Sequence, residues 1–316
     1  MDLTVCVCTH NRPGYVRDCL NGLRHQTAER DLFAVLIVDS GSTGTVPYEL
    51  EDLARQQPNT RLIRLDQPGV SLARNAGARA AKTRYVAYID DDAIPDPTWV
   101  ASILSALAES NPAPAVIGGR ILPRWEAPLP AWWPRSLRGV LSIIEHEGRG
   151  EYRTAALPGG LEPYAANMIV DTEVMLRFGG FRAGLGRHGT ALLSDEEVQL
   201  AWRLQDAGYV VRYDSRIVVH HQIQAARLRP EWLLSRLYWQ GASTVSTRRM
   251  LGYDTAVWWE LPRRMAVAIL FAPAMVVPRG STRLLGMRWR LAYAAGFVRA
   301  ALGWRAAQAA ARSGDT

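Results

Sequence analysis

Three adjacent carboxylates, Asp90, Asp91 and Asp92, close the apolar run Tyr85-Val86-Ala87-Tyr88-Ile89 and precede Ala93-Ile94-Pro95. Like charges this close repel, and a fold tolerates them poorly unless a cation sits among them. Hard oxygen donors at a strand end suit Mg²⁺ or Mn²⁺, and such ions commonly carry a substrate phosphate as well. The cluster therefore points to a metal and nucleotide-diphosphate site, with a solvated Asp/Pro turn as the plain alternative. A second acidic group, Ser194-Asp195-Glu196-Glu197, opens an expected helix over 198–207 that Gly208 closes. There Ser194 or Asp195 can act as N-cap with the glutamates facing the helix dipole. The functional alternative is that one glutamate serves as a general base. A third candidate is the pair His220-His221 at the end of Arg216-Ile217-Val218-Val219, where an imidazole can join an oxygen-rich metal site.

These groups need a frame that brings them together. Leu3-Thr4-Val5-Cys6-Val7-Cys8 reads as a strand that stops at the turn Thr9-His10-Asn11-Arg12-Pro13-Gly14, and residues 15–26 carry apolar side chains at helical spacing. Phe33-Ala34-Val35-Leu36-Ile37-Val38 is a second strand ending at Asp39, and Arg61 to Leu65 a third; helices are expected over 47–57, 69–82 and 99–109. Strand alternating with helix at this rhythm predicts an α/β fold with a mostly parallel sheet covered on both faces. Ligands of such sheets sit at the carboxyl ends of the strands, so Asp39 and Asp90 to Asp92 should face one crevice. No GxGxxG follows the first strand, which argues against a dinucleotide-binding dehydrogenase, and no GxxxxGK[ST] occurs anywhere, which excludes P-loop chemistry.

The 316 residues suffice for one large domain or a domain with an appendage. The net charge is +7, and Lys82 is the only lysine. That arginine bias fits a GC-rich bacterial genome, and the arginines are scattered rather than gathered into a nucleic-acid footprint. Positive charge would nevertheless favour nucleotide diphosphates or an anionic membrane surface. Cys6, Cys8 and Cys19 form no disulfide framework, and the start shows no basic segment followed by an apolar one. A cytoplasmic protein is expected.

Residues 112–163 are rich in Pro, Gly and Trp. Trp132 and Trp133 there can form a sugar-stacking wall or a lid, or simply pack the loop onto the core. Farther on, residues 265–277 are apolar but short and interrupted by Pro273. Residues 283–312 set arginines and apolar residues at helical spacing, as in an interfacial helix at the inner face of the cell membrane or a helix docked on the core or on a second subunit of a homodimer.

Taken in order, these segments resemble a family 2 glycosyltransferase of the GT-A fold. The resemblance covers roughly residues 3 to 245 and rests on Val5 to Pro13, Ile37-Val38-Asp39-Ser40, Gly69 to Gly77, Asp90-Asp91-Asp92, Ala165 to Met168, Gly179-Gly180-Phe181, Ser194 to Glu197, Arg203-Leu204 with Gly208-Tyr209, and His220. It implies a catalytic domain over 1–245, with a nucleotide-binding half (1–110) and an acceptor half (111–245), followed by a helical extension over 246–316. It implies that Asp39 holds the nucleotide base with Thr9 and Arg12 beside it, that Arg74 meets the diphosphate, and that Asp90, Asp91 and Asp92 form the DxD-type motif. Asp92 and His220 would be the metal ligands. Glu197 aligns with the usual base, although the family commonly has Glu-Asp where Glu196-Glu197 stand here. Asn167, with Asp195 and the two tryptophans, would lie near the sugar or acceptor. The implied reaction is an inverting, Mn²⁺- or Mg²⁺-dependent hexosyl transfer from a UDP-sugar, or a dTDP- or GDP-sugar, to a glycan, lipid-linked or natural-product acceptor. Sugar nucleotidyltransferases share the sheet type but open with a Gly-rich basic loop, which Thr9 to Gly14 is not. A non-catalytic binding protein on the same fold is the other alternative.

Overall fold

The computed structural model describes residues 2–187 and 191–303. Four strands, β1 (Leu3–Thr9), β2 (Phe33–Ser40), β3 (Thr60–Leu65) and β4 (Tyr85–Asp90), run parallel. They alternate with the helices α1 (Pro13–Arg24), α2 (Val46–Arg55) and α3 (Val70–Ala80). β1, β2 and β4 are apolar on both faces because helices cover both sides, and their side chains are almost wholly buried. β5 (Ala93–Pro95), α4 (Trp99–Ala108), β6 (Val116–Trp125), β7 (Arg149–Glu151), β8 (Met168–Asp171), α5 (Thr172–Arg177), α6 (Glu196–Asp206) and β9 (Val211–Ile223) follow. The sheet order is β3-β2-β1-β4-β8-β6-β9-β5, with β7 paired to β9, and β8 turns it antiparallel at β4. The parallel block β1–β4 lies within the first ninety residues; apart from the short β5, the antiparallel strands come from the Pro-, Gly- and Trp-rich stretch and beyond.

Register sets where the strands end. Thr9 lies opposite Asp39 on β2, and Cys8 lies opposite Asp90 on β4. The carboxyl ends of β2, β1 and β4 are therefore level, and the loops that leave them start from one edge.

The chain divides into two compact units. The first comprises residues 1–124, 141–181 and 200–223 and holds the sheet. The second comprises 125–140, 182–199 and the chain from Gln224 onward. Within the second, α7 (Pro230–Met250), α8 (Asp254–Phe271) and α9 (Leu285–Ala301) pack together. α7 and α9 touch backbone to backbone: a Cβ on Gly296 would stand 1.8 Å from the Tyr238 carbonyl oxygen, and one on Gly241 would stand 2.2 Å from that of Tyr293. Only glycine permits so close a crossing. α9 thus turns its apolar side inward through Ala294 and Phe297, and Arg288 is buried, donating to the carbonyls of Ser281 and Arg279. The helix expected over 283–312 is docked on its neighbours as far as it is described; residues 304–312 lie outside the described residues. Among the described residues no helix is long and apolar enough to cross a membrane.

Candidate active site

The loops after β1, β2 and β3 are tied to one another by side chains that the turns themselves supply. Asp39 is buried, and its Oδ1 accepts from the Ser42 backbone N–H at 3.0 Å, holding the β2–α2 turn. Arg64 approaches its other oxygen at 3.8 Å. The Ser42 hydroxyl accepts from the Asn11 N–H at 2.8 Å, and the Asn11 amide oxygen accepts from the Thr43 N–H at 2.9 Å. The Gly69 N–H donates to the Ser40 hydroxyl at 2.8 Å. These bonds tie the three loops together at the level strand ends, where Thr9, Arg12, Asp39 and the aspartates also lie.

There the acidic run is neutralised by arginine. The Thr9 hydroxyl donates to Asp91 Oδ2 at 2.7 Å. The Arg12 guanidinium donates to Asp91 with one nitrogen and to Asp92 Oδ2 at 2.9 Å with another. Asp91 and Asp92 are buried, while about a third of Arg12 remains exposed. Burial opposes the charge on Arg12, but Asp91, Asp92 and Asp90 outweigh it and hold the guanidinium firmly protonated. Burial pushes the Asp91 carboxyl up to about 7; Arg12 opposes the shift and Asp92 adds to it.

Between its ordinary 3.8 and about 7, folded Asp91 keeps a proton that the unfolded chain has released. Its contribution to stability is therefore full at the acid end and lost as pH rises through about 7. We predict that, without divalent metal, the melting temperature falls more steeply from about pH 5 to about pH 8 in the wild type than in Asp91→Asn. Parallel pH profiles for the two proteins would contradict this.

The structure places His221, not His220, against Asp92. Neighbours on a strand point to opposite faces, and the pairing of β5 with β9 sets Ala93 opposite His221. His221 is buried with Nε2 3.3 Å from Asp92 Oδ1, whereas His220 is half-buried and 3.9 Å from Asp96. His221 Nδ1 lies 3.0 Å from the Leu141 carbonyl oxygen, which can only accept, so Nδ1 carries the hydrogen. In the neutral ring Nε2 then aims a lone pair at a carboxylate, an arrangement that calls for a proton or a cation between them. Among the described residues no three His, Cys, Asp or Glu side chains converge to hold an ion. Asp92 and His221 are two donors, which suits an ion that takes its remaining ligands from substrate phosphate and water.

Arg74 reaches Asp90 from α3. It is buried, donates to Asp90 Oδ1 at 3.2 Å and lies over the Phe181 ring at 5.5 Å. Phe181 is held by the Asn75 side chain, whose amide donates to the Phe181 carbonyl at 2.8 Å and whose oxygen accepts from the Phe181 N–H at 2.9 Å. The Gly180 backbone, at φ +66°, passes so near that a Cβ there would stand 2.4 Å from that oxygen. Asn167 makes its hydrogen bonds elsewhere. It is fully buried, accepts from Trp99 Nε1 at 2.9 Å and donates to the carbonyls of Arg120 and Ile217 at 2.8 and 2.9 Å. Its amide is a strut between α4, β6 and β9.

The second acidic cluster belongs to the second unit. Asp195 has φ +76°, and its carboxylate accepts from Gln240 Nε2 of α7 at 2.9 and 3.0 Å and from the Ser194 hydroxyl at 2.8 Å. Burial pushes its carboxyl up, and the bonds from Gln240 oppose this. Its carbonyl, not its side chain, serves the helix, accepting from the Gln199 N–H at 2.8 Å. Glu196 and Glu197 then occupy the first turn of α6, Glu196 buried and Glu197 half-buried. Trp132 and Trp133 lie in contact in the same unit, ring centroids 5.4 Å apart, with Trp133 buried.

Comparison with known proteins follows the same lines. A sequence profile described as Glycosyl transferase family 2 matches residues 4–160. A glucosyl-dolichyl phosphate glucuronosyltransferase of Haloferax volcanii is 27% identical over 77% of this chain and 76% of its own length. A pre-mycofactocin glycosyltransferase of Mycobacterium tuberculosis is 26% identical over 72% of this chain, a match that takes up only 45% of that protein. Among solved structures, a mannosyltransferase of Pyrobaculum calidifontis in complex with GDP-Man and Mn²⁺ superposes with a TM-score of 0.53 at 20% identity, covering 99% of this chain and 79% of the other. S. aureus TarS in complex with UDP gives a TM-score of 0.54 at 15% identity, covering 96% and 91%.

Proposed function

We propose that this chain, which belongs to glycosyl transferase family 2 and has the GT-A fold, transfers a hexose from a nucleotide-diphosphate sugar to an acceptor hydroxyl with inversion at the anomeric carbon. The observation that carries the reading is the set of level strand ends. They bring Thr9, Asp39 and Asp90 to one edge, where Arg12, Arg74, Asp92 and His221 join them.

Asp39 receives the nucleotide base, with Thr9 and Arg12 beside it. Arg74 is already oriented by Asp90 and the Phe181 ring, so it meets the diphosphate without having to be ordered first. Asp92 and His221 would hold Mn²⁺ or Mg²⁺, which would supply a Lewis acid for the charge that develops on the leaving diphosphate. Arg12 shares that task, since its exposed edge carries charge beside the same carboxylates. Glu197 takes the proton from the attacking hydroxyl, and Glu196 and Asp195 shape its surroundings. The donor is a UDP-sugar in the first instance, with dTDP and GDP as alternatives. The acceptor is a glycan, a lipid-linked sugar or a natural product; the haloarchaeal relative, named for a dolichyl phosphate substrate, supports the lipid-linked class.

The test offers labelled UDP-, dTDP- and GDP-sugars together with lipid extract, oligosaccharides and small glycosyl acceptors, each with Mn²⁺ or with EDTA. Label should pass from one donor class to one acceptor class, and chelation should reduce that transfer by at least about 10²-fold. Transfer at the same rate in EDTA would contradict the metal role, and no transfer from any sugar nucleotide would contradict the reading itself.

A further inference from the structure

Helix α8 is apolar on two sides at once. Val257 and Leu261 are buried, and Glu260 is held beside them by Arg248 and Arg264. The opposite side carries Trp258, Trp259, Met265, Ile269 and Leu270, all exposed, with Trp259 at 85% and Ile269 at 73%. At 3.6 residues per turn these positions fall on one broad face of a helix about 27 Å long at 1.5 Å per residue. The turn beyond continues the surface with Met275, and with Val276 at 87% exposure. Scattered exposed apolar residues are ordinary, but a contiguous face of this kind marks an interaction site.

Charge identifies the partner. Residues 246–303 contain nine arginines and two acids, so this stretch alone carries a net charge equal to the +7 of the whole chain, and the remainder is close to neutral. Of the two acids, Glu260 is tied to Arg248 and Arg264 on the inward side, and Asp254 lies 3.6 Å from Arg249 at the helix start. On the outward side Arg263 interrupts the apolar face, and Arg279 and Arg283 follow Val276, all exposed. Indole rings with arginines around an apolar strip match the headgroup level of a bilayer. A two-fold self-association through this face would bring two arginine-bearing surfaces together with no exposed acid on it to pair them.

We infer that the outer face of α8 and the Met275–Val276 turn form a docking surface for an anionic lipid bilayer, on which the protein lies without crossing it. Binding combines burial of the apolar strip with attraction between arginines and anionic headgroups. The inference does not depend on the donor chemistry.

Full-length protein is sedimented with phosphatidylcholine vesicles with and without phosphatidylglycerol. The wild type should partition onto the anionic vesicles at least about tenfold more strongly than onto neutral ones, and added salt should weaken that binding. The double variant Trp259→Ser/Ile269→Ser changes only exposed side chains, so it should melt like the wild type while losing at least about tenfold in partitioning. Tryptophan fluorescence should be quenched by brominated lipids in the wild type and less so in Trp258→Phe/Trp259→Phe. Wild type that stays in the supernatant with both vesicles would overturn the inference. So would a dimer that the double variant splits while neither protein binds vesicles.

Discussion

Asp92→Ala should lower the rate of sugar transfer at saturating donor by at least about 10³-fold, or roughly 4 kcal/mol of transition-state stabilisation. The substitution removes one of two donors available to a divalent ion and one of two carboxylates that orient Arg12. The charge that builds on the leaving diphosphate then meets a weaker counter-field at the moment it matters. The two histidines sharpen the result. His221→Ala should follow Asp92→Ala with a loss of about 10–100-fold, a size typical of a ligand or its orienting partner. His220→Ala should stay close to the wild type, because that ring is half-buried and lies beside Asp96 rather than Asp92. Initial rates across a Mn²⁺ titration, with melting curves to establish that each variant folds, measure all three. A His220→Ala loss larger than that of His221→Ala would contradict the assignment.

The second large effect belongs to the acid at the start of α6. Glu197→Gln keeps size and shape but cannot take a proton, so turnover should fall by about 10²–10⁴-fold while the affinity for nucleotide diphosphate is unchanged. Glu196→Gln should cost less, since Glu196 is buried and the base proposed above is its neighbour Glu197. Asp195→Asn should be mild as well, because Asn tolerates the positive φ and can still accept from Gln240. Measuring turnover and nucleotide affinity separately checks the split: equal losses in both from Glu197→Gln would point to a role in donor binding.

The parallel half of the sheet was legible in the sequence because its strands are buried on both faces and read as unbroken apolar runs. The acids at the ends of those runs were legible for the same reason, since a strand's end can be placed when its body can. β6 and β8 were not. The pair Gly118-Gly119 reads as a loop signal, yet packing requires both glycines: a Cβ on Gly118 would stand 2.2 Å from the Tyr152 hydroxyl, and one on Gly119 would stand 2.2 Å from the Ile217 carbonyl oxygen. Which of two adjacent histidines faces Asp92 depends on the register of a three-residue strand, and periodicity cannot reveal that. Arg12 as the bridge between Asp91 and Asp92 is likewise a tertiary fact, as is the diversion of the Asp195 side chain from helix capping to Gln240. In the last third of the chain, helical spacing of arginines and apolar residues drew attention to α9. That helix spends Arg288 and Phe297 inward, and the exposed apolar face lies on α8.

The most direct test of the central claim is thermal stabilisation by UDP, dTDP, GDP and CDP, each with Mn²⁺, Mg²⁺ or EDTA, in the wild type and in Asp92→Ala. A ligand at about 100 times its dissociation constant stabilises the folded state by about 2.7 kcal/mol, which a melting curve resolves. A donor site built on Asp39, Arg74, Asp92 and His221 predicts a rise with one nucleotide that needs the divalent ion and disappears in Asp92→Ala. No rise with any nucleotide, or a rise that is the same in EDTA and in the variant, would contradict it.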